Sequence, residues 1–320
     1  MDLKQIPKKS GLPENSLQFN YPLKELTSFK IGGNADIFFT PRTEEELQNG
    51  AVFFRLNGIP ISVIGGGKNL LISDKGIRGA VISLQHFSEI KIKNENKTEI
   101  LIEAGAGVLI DELADRAGEN SLSGFEDFGG LPGTVGGAIF MNARCYEKSI
   151  SDILVSARTM VFNPSGIEFE TYLFCADDWD YKKSPFQIHT EGIKIPENGK
   201  IIVSAVFKMK RADKTEIKAQ TELRRKDRIQ KGQFRAPSAG STFKNSRKIG
   251  SPSGKVIEEA GLKGFSIGGA QVAPWHGNFV INKGNASSAD TLKLIEYIQK
   301  TVLEKTGFLL EPEVIFAGEK

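Results

Sequence analysis

Residues 124–146 read GFEDFGGLPGTVGGAIFMNARCY, and no other stretch constrains the chain as strongly. Six of these 23 residues are glycine, and five of the six fall within positions 129–137, with Pro132 among them. Glycine is entropically costly in a regular helix or strand, so this is loop sequence. Glycine also reaches positive φ and lets a ligand approach the main chain. Several N–H groups presented together bind an anion such as a diphosphate. A lone Gly-Gly pair would be read as a tight bend. Two pairs, Gly129-Gly130 and Gly136-Gly137, with Gly133 between them, favour a ligand-cradling loop. The apolar run from Val135 to Met141 then leads towards a buried segment.

A second glycine cluster follows a strand pattern. Ile61-Ser62-Val63-Ile64 runs into Gly65-Gly66-Gly67-Lys68-Asn69-Leu70-Leu71. A strand that ends in three glycines is a candidate phosphate cradle, although a glycine hairpin would look similar. Neither GxxxxGK[ST] nor GxGxxG fits the spacing, which removes the Walker A reading and leaves a Rossmann fold little support. Upstream, Thr43 and Glu46 form a capping box for a helix with Leu47, Ala51 and Phe54 on one face. Asn57-Gly58 stops it.

The rest of the chain reads as alternating short strands and helices. Strands are expected at 80–82, 90–92, 100–102, 154–162, 167–169, 201–209 and 308–316. Asn94-Glu95-Asn96-Lys97 reads as a polar turn. Helices are expected at 109–117, 213–230, 255–260 and from Ser288 to Gly307. The 213–230 helix is polar and strongly charged, so it either contacts phosphate or is simply a solvated linker between domains. Residues 1–20 read as a mobile arm.

At 320 residues the chain suits two or three domains. A net charge of +3 gives no global electrostatic case for nucleic acid. Two cysteines, Cys145 and Cys175, make neither a disulfide framework nor a zinc motif. The start, MDLKQIPKKSGLPENS, has no apolar core and contains acids, so no signal or transit peptide is expected. A cytoplasmic protein with no membrane association is the expectation. None of the histidines, His86, His189 and His276, sits at metal-ligand spacing from another ligand type, so no metal is expected. Ser241 in Gly-Ser-Thr lacks a nucleophile elbow. Glu313 stands in an apolar terminal strand, where a buried carboxylate would need a partner.

Taken together, TSFKIGGNAD, VIGGGKNLLISD, GLPGTVGGAIFMNA, YKKSPF, GSTFKN, GLKG with HGNFVIN, and LLEPEVIFAG resemble the UDP-N-acetylenolpyruvoylglucosamine reductases, in the same order over about residues 23–318. The resemblance implies an α+β fold. It would comprise a two-subdomain FAD-binding region of the vanillyl-alcohol-oxidase (PCMH) type and a C-terminal α+β substrate-binding domain. The corresponding division is 21–84, 85–212, 213–306 with the linking helix, and a returning strand at 307–320. The short segment after Phe186 is similar to the branch that lacks an extra substrate-capping loop. The resemblance further implies bound FAD, NADPH as hydride donor and UDP-N-acetylglucosamine enolpyruvate as acceptor. A monomer is expected.

By the same resemblance, Ser241 would donate a proton and Glu313 would stabilise the enolic carboxylate. Lys182 stands where the family has arginine, and lysine lacks the planar fork that grips a carboxylate. Arg144, where the family usually has a small residue, would be a compensating cation. Tyr181, Lys244 and Asn245 would contact substrate. FAD would be held by Val63, Ile64, Gly65, Gly66, Gly67, Lys68, Asn69 and Leu70 on one loop. Gly129, Gly130, Pro132, Gly133, Thr134, Gly136, Gly137, Ala138 and Asn142 would hold it on the other, with Asn142 near the flavin ring. Two other readings compete: a sugar or lactone oxidase on the same fold, and a non-catalytic nucleotide or RNA binder. GSTFKN and LEPEV speak against the first, and the near-neutral charge against the second.

Overall fold

A computed structural model describes residues 6–95, 100–187 and 192–319. The polar turn at 94–97 and His189 lie wholly or partly outside these residues. The chain packs as two compact units. Unit 1 comprises residues 1–19, 36–66 and 79–226, and unit 2 comprises 20–35, 67–78 and 227–320. Packing thus divides the chain differently from the sequence-order segments expected above. The polar helix, Lys214–Gln230, stays in unit 1 as far as Lys226.

Two larger sheets lie mainly in unit 1. One has the order Leu17–Pro22, Asn34–Phe39, Ile77–Ser83, Ile61–Ile64, and its last pair is parallel. The connecting helix Glu44–Leu56 begins where Thr43 accepts a hydrogen bond from the Glu46 N–H. It buries Leu47, Ala51 and Phe54 against Phe39 and Ile82. The larger sheet is antiparallel, in the order Gly166–Leu173, Leu154–Asn163, Lys200–Arg211, Ile100–Gly105, Ile90–Glu95. Ile110–Glu119 and Val135–Phe140 pack their apolar residues into the core of this sheet.

The expected mobile arm is instead a packed element from Ile6 onward. Ile6–Ser10 is helical, and Ile6, Leu12 and Leu17 are buried with Phe54 and Ile61. Three apolar residues among polar ones suffice to anchor it.

In unit 2 a four-stranded antiparallel sheet has the order Ser238–Ser241, Phe279–Asn282, Ala270–Val272, Ser266–Ile267. Helix Ser288–Thr306 covers it with Leu294, Ile295, Ile298 and Val302. Its N-terminus is held twice. Ser287 and Asp290 form a capping box, and Asp74 accepts from the Ser288 N–H at 2.9 Å. The expected terminal strand over 308–316 shrinks to Ile315–Ala317, parallel to Leu70–Ile72. Pro312 has no N–H to donate, and Phe308 and Leu309 point to solvent.

Candidate active site

In unit 1 the two glycine clusters lie side by side. A Cβ on Gly65 would stand 2.7 Å from Thr134 Oγ1, and one on Gly66 would stand 3.0 Å from Gly133 Cα. Only residues without side chains allow the two main chains this approach. Gly65 is exposed, and Gly66, Pro132, Gly133, Gly136 and Gly137 are partly so. Thr134 caps the Val135–Phe140 turn by accepting from the Gly137 N–H. Val63 and Ile64 end the strand behind the loop, and Ala138 is buried in the short helix. Accessible main chain from two converging loops fits an elongated ligand with a diphosphate, as FAD is.

Not every expected loop residue faces outward. Gly129 backs onto the polar helix, where a Cβ would meet Thr221 O at 2.5 Å. The Gly130 N–H donates to Asp111 Oδ1 at 2.6 Å. Asn142 is buried, and its amide is already engaged. Nδ2 donates to Asp180 O at 2.8 Å, and Oδ1 accepts from the Ser151 N–H at 3.4 Å. Asn142 therefore ties the glycine loop to the turn that carries Tyr181 and Lys182.

That turn is tight. Asp180 and Lys183 exchange main-chain hydrogen bonds at 3.2 and 3.0 Å, and Asp180 Oδ1 accepts from the Tyr181 N–H. Lys182 sits at φ +57°, a region that disfavours a Cβ and is populated at functional sites. An aromatic cluster braces the segment. Phe186 packs between Tyr172 and Trp179, while Tyr172 OH donates to Asp178 and accepts from Trp179. Burial and the Asp178 carboxylate raise the Tyr172 pKa.

Arg144 opens a two-residue strand pair, Arg144–Cys145 with Lys148–Ser149, and Nη1 reaches Ser149 Oγ at 3.4 Å. The Arg224 guanidinium lies 4.0 Å over the Tyr146 ring and pairs with Asp127 at 2.9 Å. Arg225 pairs with Asp111 and Asp115 at 2.7 and 2.8 Å. Two of the polar helix's cations are thus engaged by carboxylates, which does not favour the phosphate-contact reading.

Residues Gly67, Lys68, Asn69 and Leu70 belong to unit 2. Burial, then neighbouring Lys30, lowers the Lys68 pKa. Asn69 Nδ2 donates to Glu313 O at 2.9 Å, and Asn69 O accepts from the Ile315 N–H. Leu70 starts the strand beside Ile315.

The same unit brings Ser241, Lys244, Asn245 and Glu313 together. The strand Ser238–Ser241 carries a bulge. Ser238 faces Ile281 and Ser241 faces Phe279, so three steps on one strand match two on the other. Gly240, at φ +75°, takes the left-handed position this requires. Beyond the bulge, Thr242 O accepts from the Glu313 N–H at 2.8 Å, and the Lys244 N–H donates to Glu311 O at 2.9 Å. These two bonds flank a Phe243–Pro312 bridge. Lys244 Nζ pairs with Glu311 at 2.6 Å. Asn245 Oδ1 accepts from the Ser253 N–H, and Ser253 Oγ donates to Lys244 O. Ser241 and Glu313 are each partly exposed.

Reading from the sequence missed Asn278. Its side chain bonds both main-chain groups of Phe243, a residue 35 positions away. The only signal was its place in HGNFVIN.

Comparison with known proteins places these elements. Residues 35–169 match a family described as FAD binding domain. Residues 232–317 match one described as UDP-N-acetylenolpyruvoylglucosamine reductase, C-terminal domain. The chain is 56% identical over 306 residues to the protein of that name from Treponema denticola, covering 96% of this chain and 95% of that one. It is 40% identical to that of Treponema pallidum, covering 94% and 93%. The crystal structure of the Thermus caldophilus reductase superposes with a TM-score of 0.74 at 32% identity, covering 94% and 98%.

Proposed function

The chain belongs to the UDP-N-acetylenolpyruvoylglucosamine reductase family, and from that premise we propose that it reduces UDP-N-acetylglucosamine enolpyruvate to UDP-N-acetylmuramate, a step in peptidoglycan precursor synthesis. NADPH is the electron source, and the compartment is the cytoplasm. The observation that carries this reading is the pairing of the Ser241 segment with Glu313 through Thr242.

The chemistry supplied by bound FAD is hydride relay, from NADPH to the enol-ether carbon distal to the substrate carboxylate. The exposed main chain at Gly65, Gly66 and Gly133 would hold the cofactor's diphosphate, and Gly136 and Gly137, whose N–H groups go to Ala106 O and Thr134 Oγ1, would line the cradle. Val63, Ile64, Thr134 and Ala138 would support that cradle, with Gly67, Lys68, Asn69 and Leu70 continuing the first loop.

As the double bond is reduced, negative charge grows on the adjacent carbon and its carboxylate. Preorganised donors and cations lower the barrier to that charge. Lys182 supplies one cation and Arg144 a second, together replacing the fork of the family arginine. Glu313 helps to polarise and stabilise the enolic carboxylate. Ser241 Oγ gives its proton to the adjacent carbon, which completes the addition of one hydride and one proton across the bond. Tyr181, Lys244 and Asn245 hold the nucleotide part of the substrate.

The test is spectroscopic. The purified protein should show a flavin spectrum that NADPH bleaches and the enolpyruvyl nucleotide restores under anaerobic conditions. Bleaching that oxygen reverses but the nucleotide does not would replace this reading with a flavin oxidase.

A further inference from the structure

We propose that Asn278 is a positioning residue for proton delivery: it clamps the Thr242-Phe243 segment so that Ser241 and Glu313 keep one fixed geometry. This rests on the assignment of Ser241 as proton donor.

Asn278 is 4% exposed, and each of its four kinds of polar group has a partner. Its carbonyl accepts from the Thr242 N–H at 2.8 Å. Its Oδ1 accepts from the Phe243 N–H at 2.9 Å, while Nδ2 donates to Phe243 O at 2.8 Å. Its own N–H donates to His276 Nδ1 at 3.2 Å. The side-chain amide thus does for Phe243 what a neighbouring strand would do. A buried amide satisfied this way holds its partner in one place, because breaking either bond strands a buried polar group.

The clamp acts on the right atoms. Thr242 gives its N–H to Asn278 and its C=O to the Glu313 N–H. Ser241 precedes Thr242 directly and follows the bulge, where the ladder gives least support. Without the Asn278 side chain, Phe243 would lose a partner for both of its main-chain groups, while Thr242 would keep the Asn278 carbonyl, the Glu313 N–H and the Val280 N–H on its hydroxyl. His276 holds the clamp in turn. Its ring stacks on Phe279, with centroids 3.9 Å apart, and presents an unprotonated Nδ1 to Asn278.

The test separates the two half-reactions in the flavin-loaded, full-length protein. In Asn278→Ala, bleaching by NADPH should proceed at the wild-type rate and the affinity for the enolpyruvyl nucleotide, measured by calorimetry, should hold. Reoxidation by that nucleotide should slow by about 10²-fold, the scale of a 1 Å misplacement of a reacting group. In a Ser241→Ala background the same substitution should cost nothing further, since two residues acting through one step are not additive. If Asn278→Ala does not fold, His276 carries the test. His276→Asn offers an oxygen where Nδ1 was and should keep reoxidation, whereas His276→Phe keeps the stack and should lose it. Fast reoxidation in Asn278→Ala or in His276→Phe, or an additive loss with Ser241→Ala, overturns the proposal. Failure of the wild-type protein to be reoxidised at all would overturn the functional reading itself.

Discussion

The main-chain N–H of Glu313 donates to the carbonyl of Thr242 at 2.8 Å. The proton donor proposed here is the residue before Thr242. The residues that carry the donor and the carboxylate are therefore one residue step and one hydrogen bond apart along the backbone. This bond fixes the spacing of their main-chain positions, from which the two side chains reach the substrate.

Removing the hydroxyl should isolate its role. Ser241→Ala is expected to slow reoxidation by the enolpyruvyl nucleotide by about 10²- to 10⁴-fold, the usual contribution of a positioned acid. Bleaching by NADPH should be unaffected. Stopped-flow absorbance measures both, and an unchanged reoxidation rate would remove Ser241 from the chemistry.

The two cations should share a load. Lys182→Ala and Arg144→Ala are each expected to lower kcat/KM for the nucleotide, with the larger loss at Lys182. Steady-state kinetics decide the matter. Full turnover in Arg144→Ala beside an inactive Lys182→Ala would end the idea that Arg144 compensates for the missing arginine.

Glycine 66 should govern cofactor retention. An alanine there would bring its Cβ to 3.0 Å from Gly133 Cα, forcing the two loops apart. Gly66→Ala is expected to purify with less flavin per chain than wild type. Equal flavin content after gel filtration would mean that the loop contact does not shape the cradle.

His276 predicts a pH effect on stability. Burial, then nearby Lys231 and Lys263, lowers its pKa from the ordinary 6.5. The unfolded chain therefore binds this proton before the folded chain does. Stability is present above about pH 6.5 and is lost as the pH falls from there through the folded value. Thermal melts across this window should show a shallower acid-side decline in His276→Asn than in wild type. Parallel curves would refute the assignment.

The N-terminal segment offers a fifth check. Ile6 is fully buried. Ile6→Ala should destabilise unit 1 by about 2–5 kcal/mol, as for other large-to-small core changes. A midpoint unchanged in urea would restore the picture of a loose arm.

Much of this was legible in the chain. Thr43 with Glu46, and the glycine that ends helix Ser288–Thr306, are local signals that sterics and capping decide within a few residues. The glycine clusters announced themselves because the close approach of their main chains leaves no room for side chains. What escaped depends on distant partners. Arg225 and Asp111 stand 114 positions apart, and Asn278 and Phe243 stand 35 apart. Nothing in the local sequence of a polar helix shows that carboxylates will meet its arginines. The side-chain partners of Asn142 were hidden for the same reason. One of them, Asp180, is 38 positions away. The overlong terminal strand came from weighing apolar character above the missing N–H of Pro312.

The bulge before Ser241 has a further consequence, which concerns parity. Side chains of a strand alternate between faces, so residues three apart normally look opposite ways. Ser238 and Ser241 are three apart, yet they face Ile281 and Phe279, which are two apart and look the same way. One extra residue thus decides which face of the sheet carries the hydroxyl. Lengthening this strand by another residue would not shift the donor gradually. It would hand the position to a neighbouring side chain, so the segment tolerates changes of composition far better than changes of length.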